Sequence, residues 1–168
     1  MSIVSIDKDY DNLSLVLVAE FDASIERVWQ LWADPRQLER WWGPPTHPAT
    51  VETHDLAAGG EVAYFMTSPE GDRTRGWWRV ASVDPPRSLD FTDGFANEDG
   101  TPNSKTPTTE VEVRLTEHPD GTRMELRFVF ASREHMEQLE RWGAFDVFPQ
   151  SVAQMDALLA ATPDQEDL

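Results

Sequence analysis

Residues that could do acid–base or metal chemistry are scattered along this chain and form no recognised spacing. The four histidines, His47, His54, His118 and His135, never combine as H-E-x-x-H or in another spacing of metal ligands. We therefore predict no metal site. Cysteine is absent, which excludes a zinc–thiolate site, a cysteine nucleophile and a disulfide framework.

Sequence motifs of hydrolases and of nucleotide-binding proteins are missing as well. The chain contains no G-x-S-x-G, no phosphate-binding P-loop and no G-x-G-x-x-G. His54 and Asp55 are neighbours on a predicted strand, and because adjacent strand residues point to opposite faces, we do not expect a general-base pair. Glu110 and Glu112 share an outward face, so a carboxylate pair for glycoside hydrolysis is not indicated. We predict no catalytic residue and no cofactor.

Aromatic residues give a more informative signal than the titratable ones. Seven Trp and eight Phe in 168 residues bring large apolar areas, which either fill a core or line a pocket. Composition leaves both interpretations open, and it does not settle whether Trp77 or Trp78 points inward. If a pocket exists, Tyr64 and Arg79 are its polar groups, because such sites place few polar side chains among apolar walls. The predicted ligand-binding residues are Trp32, Tyr64, Met66, Trp78, Arg79, Phe91, Phe128, Trp142, Phe145 and Met155.

The elements that must position these side chains begin with a strand and two short helices. From Leu13 to Phe21 apolar residues alternate with period two, which predicts a strand. A helix follows Ser24, with an apolar stripe at spacings of three and four. Asp34 suits the N-cap of a second helix, and Pro35 suits its first position.

Between residues 49 and 130 the pattern is that of β-structure. Strands are predicted at Val51 to Leu56, Glu61 to Thr67, Arg73 to Val83 and Ser88 to Thr92. A long loop follows from Asp93 to Pro107. A hairpin then pairs the strand around Val113 with the strand around Leu126, giving seven strands in the chain.

The last part of the chain is predicted to be one long helix that begins after Ser132 and covers the sheet. Its apolar residues recur at spacings of three and four, and they are Phe145, Phe148, Val152, Met155 and Leu159. Gly143 and Pro149 interrupt the pattern, and we expect one break near Pro149. We predict a single domain over residues 1–161 and a frayed acidic tail over residues 162–168.

Several short motifs resemble one known family. The sequence V-W-Q-L-W-A-D-P at residues 28–35, followed by Leu38 and W-W-G-P at 41–44, is similar to the opening of the activator of heat-shock protein 90 ATPase-like family, within the START-like (SRPBCC) superfamily. Further similar segments are Asp55-Leu56 before Gly59-Gly60, Pro85-Pro86 with Leu89 and Phe91, Phe95 ahead of Glu98-Asp99-Gly100, and Thr122-Arg123-Met124. The resemblance covers about residues 13 to 160. Pro149 departs from it, since the family's last helix usually continues at that position.

This resemblance implies an α+β helix-grip fold. Its seven-stranded curved antiparallel sheet would wrap around a long C-terminal helix, with two short helices after the first strand. The resemblance does not by itself imply chaperone binding, because many such proteins look like carriers or have no assigned role.

The charge of the chain limits its partners. Lys and Arg number 14 against 31 Asp and Glu, a net charge of −17. Such a surface repels phosphates, so we expect no nucleic-acid partner and no anionic membrane surface. Residues 1–10 lack the apolar core of a secretory signal, and no stretch is long and apolar enough to span a membrane, so we expect a cytoplasmic location.

The sequence is compatible with three functions. The first in rank is binding of an apolar small molecule in an internal cavity, as a carrier or sensor. A cyclase- or aromatase-type enzyme, known among related START-like proteins, would need an acid–base residue that points inward. A chaperone-interaction module of the ATPase-activator type would need an exposed recognition patch.

Overall fold

The computed structural model describes residues 3–161, which fold into one antiparallel sheet and four helices. The strands follow one another across the sheet in the order β1-β2-β8-β7-β6-β5-β4-β3. The elements are β1 (Ile3–Asp9), β2 (Ser14–Phe21), α1 (Ile25–Ala33), α2 (Pro35–Leu38), β3 (Ala49–His54), β4 (Glu61–Thr67), β5 (Arg73–Asp84), β6 (Ser88–Phe95), β7 (Thr109–His118), β8 (Gly121–Phe130), α3 (Arg133–Arg141) and α4 (Ala144–Ala161).

The sheet has eight strands in the part of the chain that is described, so the prediction of seven is wrong. The additional strand is β1, which pairs with β2 at one edge of the sheet. Its pattern is hard to recognise because Asp7, Lys8 and Asp9 are charged, and Val4 and Ile6 are both exposed. Edge strands commonly carry charged residues, which hinder pairing with another chain.

The inner face of the sheet holds the core. In β2 the predicted alternation is present, since Leu15, Leu17, Ala19 and Phe21 are all buried. The β7–β8 hairpin places Val113 opposite Leu126 on the same inner face. Helices α1 and α4 add their buried residues to this one cluster. The α+β class and the antiparallel sheet with a C-terminal helix therefore fit the expected helix-grip fold.

Strand β5 settles which of its two adjacent tryptophans points inward. Trp78 is fully buried, whereas Trp77 lies on the outer face and donates from Nε1 to the Phe95 carbonyl at 2.9 Å. Because β-strand residues alternate between faces, Arg79 also points outward. It is exposed and pairs with Glu61 at 3.1 Å.

The two short helices carry the caps that the sequence indicates. The Ser24 hydroxyl accepts from the Arg27 backbone N–H at 3.1 Å, and an Asp34 carboxylate oxygen accepts from the Arg36 N–H at 2.9 Å. After α2, the Trp41 indole N–H donates to the Leu31 carbonyl at 2.8 Å. This bond fixes the segment after α2 against α1.

The C-terminal region consists of two helices, and their break lies at Gly143, not near Pro149. Gly143 has a φ of +83°, the left-handed conformation that commonly ends a helix and that favours glycine. Pro149 lies inside α4. Proline removes one backbone donor, here the one that would bond to the Phe145 carbonyl, and the helix continues past it.

Helix α4 lies against the core through one side. Phe145, Val152 and Met155 are buried, and Phe148 and Leu159 are half-buried against the same cluster. Residues 162–168, the predicted frayed tail, lie outside the described residues. Among the helices of residues 3–161, none is long and apolar enough to cross a membrane.

Candidate functional site

A partly enclosed cavity of about 360 Å³ lies between the inner face of the sheet and the C-terminal helices. Its volume falls near the lower end of the range, roughly 300–1,000 Å³, in which small-molecule sites occur. Most of the wall is apolar or aromatic. Trp41 and Trp42 come from the segment after α2, Met66 comes from β4, Phe128 comes from β8, and Val152 comes from α4.

One hydrogen-bonded pair forms the polar end of the cavity. The Tyr64 hydroxyl of β4 donates to a carboxylate oxygen of Asp93 in β6 at 2.8 Å. Strand β5 lies between these two strands, and its Gly76 pairs with Tyr64. A Cβ at Gly76 would lie 2.3 Å from Cζ of Tyr64. Glycine at this position therefore lets the Tyr64 ring lie across β5 and reach Asp93.

The pair titrates unlike exposed groups of the same type. Burial raises the pKa of Asp93 from 3.8 to about 7, although hydrogen bonding from Tyr64 and the nearby Trp78 indole act to lower it. Burial, together with the neighbouring Asp93 charge, raises the pKa of Tyr64 well above 10. At neutral pH Tyr64 is therefore a neutral donor, and Asp93 is shared between its acid and carboxylate forms.

Aromatic rings pack closely around this pair. The Trp42 ring centroid lies 6.0 Å from that of Tyr64 and 4.8 Å from that of Trp78. Trp78 in turn stacks on Phe91 at 3.9 Å. In the described part of the chain, the buried indole N–H groups of Trp42 and Trp78 have no well-formed hydrogen bond. The Trp42 indole is nevertheless close enough to Tyr64 to lower the pKa of Tyr64, and the Trp78 indole is close enough to Asp93 to lower the pKa of Asp93.

Two histidines also line the wall. Buried His135 lies on α3, where its Nδ1 accepts from the Ala131 N–H at 3.4 Å, and burial lowers its pKa. His47 lines the cavity but is itself exposed. Of the residues described, no Lys or Arg lines this cavity. Within residues 3–161, no three His, Asp or Glu side chains lie together as a metal ion would require.

The structure divides the predicted ligand-binding residues into three groups. Tyr64, Met66 and Phe128 line the cavity. Five others belong to the buried core around it: Trp32, Trp78, Phe91, Phe145 and Met155.

Two predicted residues lie outside both the cavity wall and the core. Arg79 points away from the cavity because it lies on the outer face of β5. Trp142 follows α3, is 66% exposed and is not among the residues that line the cavity.

Sequence reasoning missed Asp93, the carboxyl group of the site. The sequence predicts a long loop from Asp93 onward because Gly94 follows it, yet β6 continues to Phe95. The signal was present, since Leu89, Phe91 and Asp93 continue one alternation and therefore share the inner face. Trp42 also lines the cavity, but it is not among the predicted ligand-binding residues.

Several solved structures are similar to this chain. A protein from Arthrobacter aurescens is 46% identical, with a TM-score of 0.90 over 96% of this chain and 93% of its own. Protein Ms6760 from Mycobacterium smegmatis is 44% identical, with a TM-score of 0.87 over 96% of this chain and 99% of its own. A protein from Rhodobacter sphaeroides, 22% identical with a TM-score of 0.79 over 94% of this chain and 98% of its own, shares the fold.

A family model identifies the family of this chain. The comparison with curated proteins finds no match. The model described as Activator of Hsp90 ATPase homolog 1-like protein matches residues 22–160, which include both short helices, β3 to β8, the Tyr64–Asp93 pair and nearly all of α4. This match covers most of the chain. The chain therefore belongs to the Activator of Hsp90 ATPase homolog 1-like family.

Proposed function

We propose that this protein binds an apolar small molecule in the cavity between the sheet and helices α3 and α4. The observation that carries the proposal is an apolar cavity with one polar end, where the Tyr64 hydroxyl donates to Asp93. Ligand sites in proteins have this composition, with apolar walls that supply affinity and a few polar groups that fix orientation. A carrier or sensor role requires nothing more than this arrangement.

The wall explains how such a ligand would gain affinity. Removing apolar surface from water is worth about 25 cal/mol per Å². The side chains of Trp42, Met66, Phe128 and Phe148 offer that surface from four parts of the chain. Phe128 and Phe148 stack with ring centroids 4.5 Å apart, and together they form an aromatic part of the wall. An aromatic or polycyclic compound would pack well against these rings.

Binding can be measured by tryptophan fluorescence during titration with flavonoids, fatty acids and steroids. Trp142→Phe serves as the background, because it removes an exposed indole and leaves Trp41 and Trp42 in the cavity wall. We expect at least one compound class to change the emission saturably. Ala144→Phe should weaken that binding about tenfold or more, because the new ring extends from a cavity-lining residue of α4.

The matched control is Ala153→Phe, the same substitution at an exposed position of the same helix. Its affinity should equal that of the background. Equal weakening by both substitutions would contradict the assignment of the cavity as the binding site. No response to any compound class would contradict the proposed function and would favour the chaperone-interaction role.

Catalysis is a second candidate function, and the observation that supports it is Asp93. A cyclase-type reaction needs an inward acid–base residue, and the pKa of Asp93, about 7, suits proton transfer at neutral pH. The test is mass spectrometry of each bound compound after incubation with the protein. A product that disappears with Asp93→Asn would support catalysis, and unchanged ligands would support binding alone.

A further inference from the structure

In the described part of the chain, the Asp93 carboxyl group lies in the cavity without a cationic partner. Among the cavity-lining residues of the described chain, it is the only carboxyl group, and no Lys or Arg accompanies it. The polar group that donates to it is Tyr64, which is neutral. A carboxylate taken out of water is costly unless a charge or several hydrogen bonds compensate it. A ligand that brought a positive charge would provide that compensation.

The surroundings of Asp93 favour its use as an acceptor for such a ligand. The Tyr64 hydroxyl holds one carboxylate oxygen at 2.8 Å, which fixes the orientation of the group. Trp78 lies opposite Asp93 in the β5–β6 pairing, so the two side chains are neighbours on the inner face. Hydrogen bonds between an ammonium group and a carboxylate are stronger than those between neutral groups.

The charge of the whole protein acts in the same direction. The net charge of −17 creates a field that attracts cations to a cleft and opposes anions. Fatty acids and other anionic ligands would therefore meet repulsion both at the surface and at Asp93. A hydrophobic cation would be attracted at both places, while its carbon skeleton would contact Trp42, Phe128 and Phe148.

We infer that the ligand class of this cavity is a hydrophobic amine, whose ammonium group binds the Asp93 carboxylate beside the Tyr64 hydroxyl. This inference rests on the proposed function and names its ligand class. The amine keeps its proton, and no covalent bond forms or breaks.

Isothermal titration calorimetry with paired probes tests the inference. The probes are 4-phenylbutylamine with 4-phenylbutanol, and 2-(2-naphthyl)ethylamine with 2-(2-naphthyl)ethanol, so that each pair shares one skeleton. At pH 8 Asp93 is ionised and the amines are protonated. We expect at least one amine to bind ten times or more tightly than its alcohol. Asp93→Asn should remove this preference.

Asp90→Asn is the matched control. Asp90 lies in the same strand but on the outer face, where it pairs with Arg114 at 2.6 Å. This variant changes the net charge equally and should keep the amine preference. A preference lost equally in both variants would show that only the overall charge matters, and it would overturn the inference.

The pH dependence provides a second measurement on the unmodified protein. The titratable groups that face the site are Asp93 and Tyr64 from the sheet, His135 from α3 and His47 from the segment before β3. The amine preference should fall as the pH is lowered from 8 to 5, because Asp93 becomes protonated. Any pH dependence that remains in Asp93→Asn does not come from Asp93.

The outcomes separate this inference from the proposed function. Equal affinity for amines and alcohols at pH 8, or failure of both amines while neutral compounds bind, overturns the inference alone. Absence of binding by every probe and every compound class overturns both.

Discussion

Met155→Asp is expected to lower the free energy of unfolding by at least about 3 kcal/mol. Met155 is fully buried on the side of α4 that faces the sheet. The substitution removes apolar contacts and puts an unpaired carboxylate in their place. Urea denaturation followed by far-UV circular dichroism measures the change.

Two variants make this result specific to the packing of α4. Ala153→Asp places the same charge on an exposed position of the same helix and should cost less than about 1 kcal/mol. Met155→Leu keeps the apolar volume and should cost less than about 1.5 kcal/mol. Similar losses from Met155→Asp and Ala153→Asp would contradict the assignment of the buried side of α4.

Asp93→Asn is expected to change the free energy of unfolding in a pH-dependent way. Relative to the parent protein, the variant should be about 2 kcal/mol more stable at pH 8 than it is at pH 4. In the unfolded chain the pKa of an aspartate is near its ordinary value of 3.8, whereas in the folded protein burial raises it to about 7. Between these values the folded state binds more protons than the unfolded state, so stability falls as pH rises and stays low above about pH 7. Asparagine does not titrate and can still accept from Tyr64.

The magnitude follows from the size of this shift. One pKa unit corresponds to about 1.4 kcal/mol, which gives about 4 kcal/mol as an upper limit. We expect about half of this limit, since the side chain of Asp93 is only partly buried and solvent screens its charge.

Urea unfolding of both proteins at pH 4, 6, 7 and 8 measures the difference. His135 acts in the opposite sense, because burial lowers its pKa and its contribution is lost as pH falls. Comparison of variant and parent at each pH cancels this contribution. A difference that stays constant over the whole range would show that Asp93 is not perturbed.

The loss of stability that we expect from Asp93 above neutral pH bears on the role of the site. A core position would be more stable with an apolar residue in place of an unpaired acid. Groups whose pKa values are strongly perturbed in a cavity cluster at functional sites, where they bind or react. The proposed binding function and the proposed amine ligand therefore both depend on the Tyr64–Asp93 pair.

Local patterns in the sequence determined several elements by themselves. Strand β2 and the β7–β8 hairpin follow from period-two alternation, which depends only on neighbouring residues. The start of α2 follows from Asp34 and Pro35, a cap and a first-turn residue that act on their own backbone. The family resemblance also lay in such local segments, and the family model bears it out over residues 22–160.

The tertiary structure decided the features that depend on pairing between distant segments. Strand β1 exists because it pairs with β2, although its own charged sequence hides it. In the C-terminal region both Gly143 and Pro149 interrupt the pattern, but the backbone turns only at Gly143, which alone adopts a positive φ. The Tyr64–Asp93 pair depends on three strands at once. Its hydrogen bond forms because β4 and β6 lie on either side of β5, and because Gly76 has no side chain to block the ring between them.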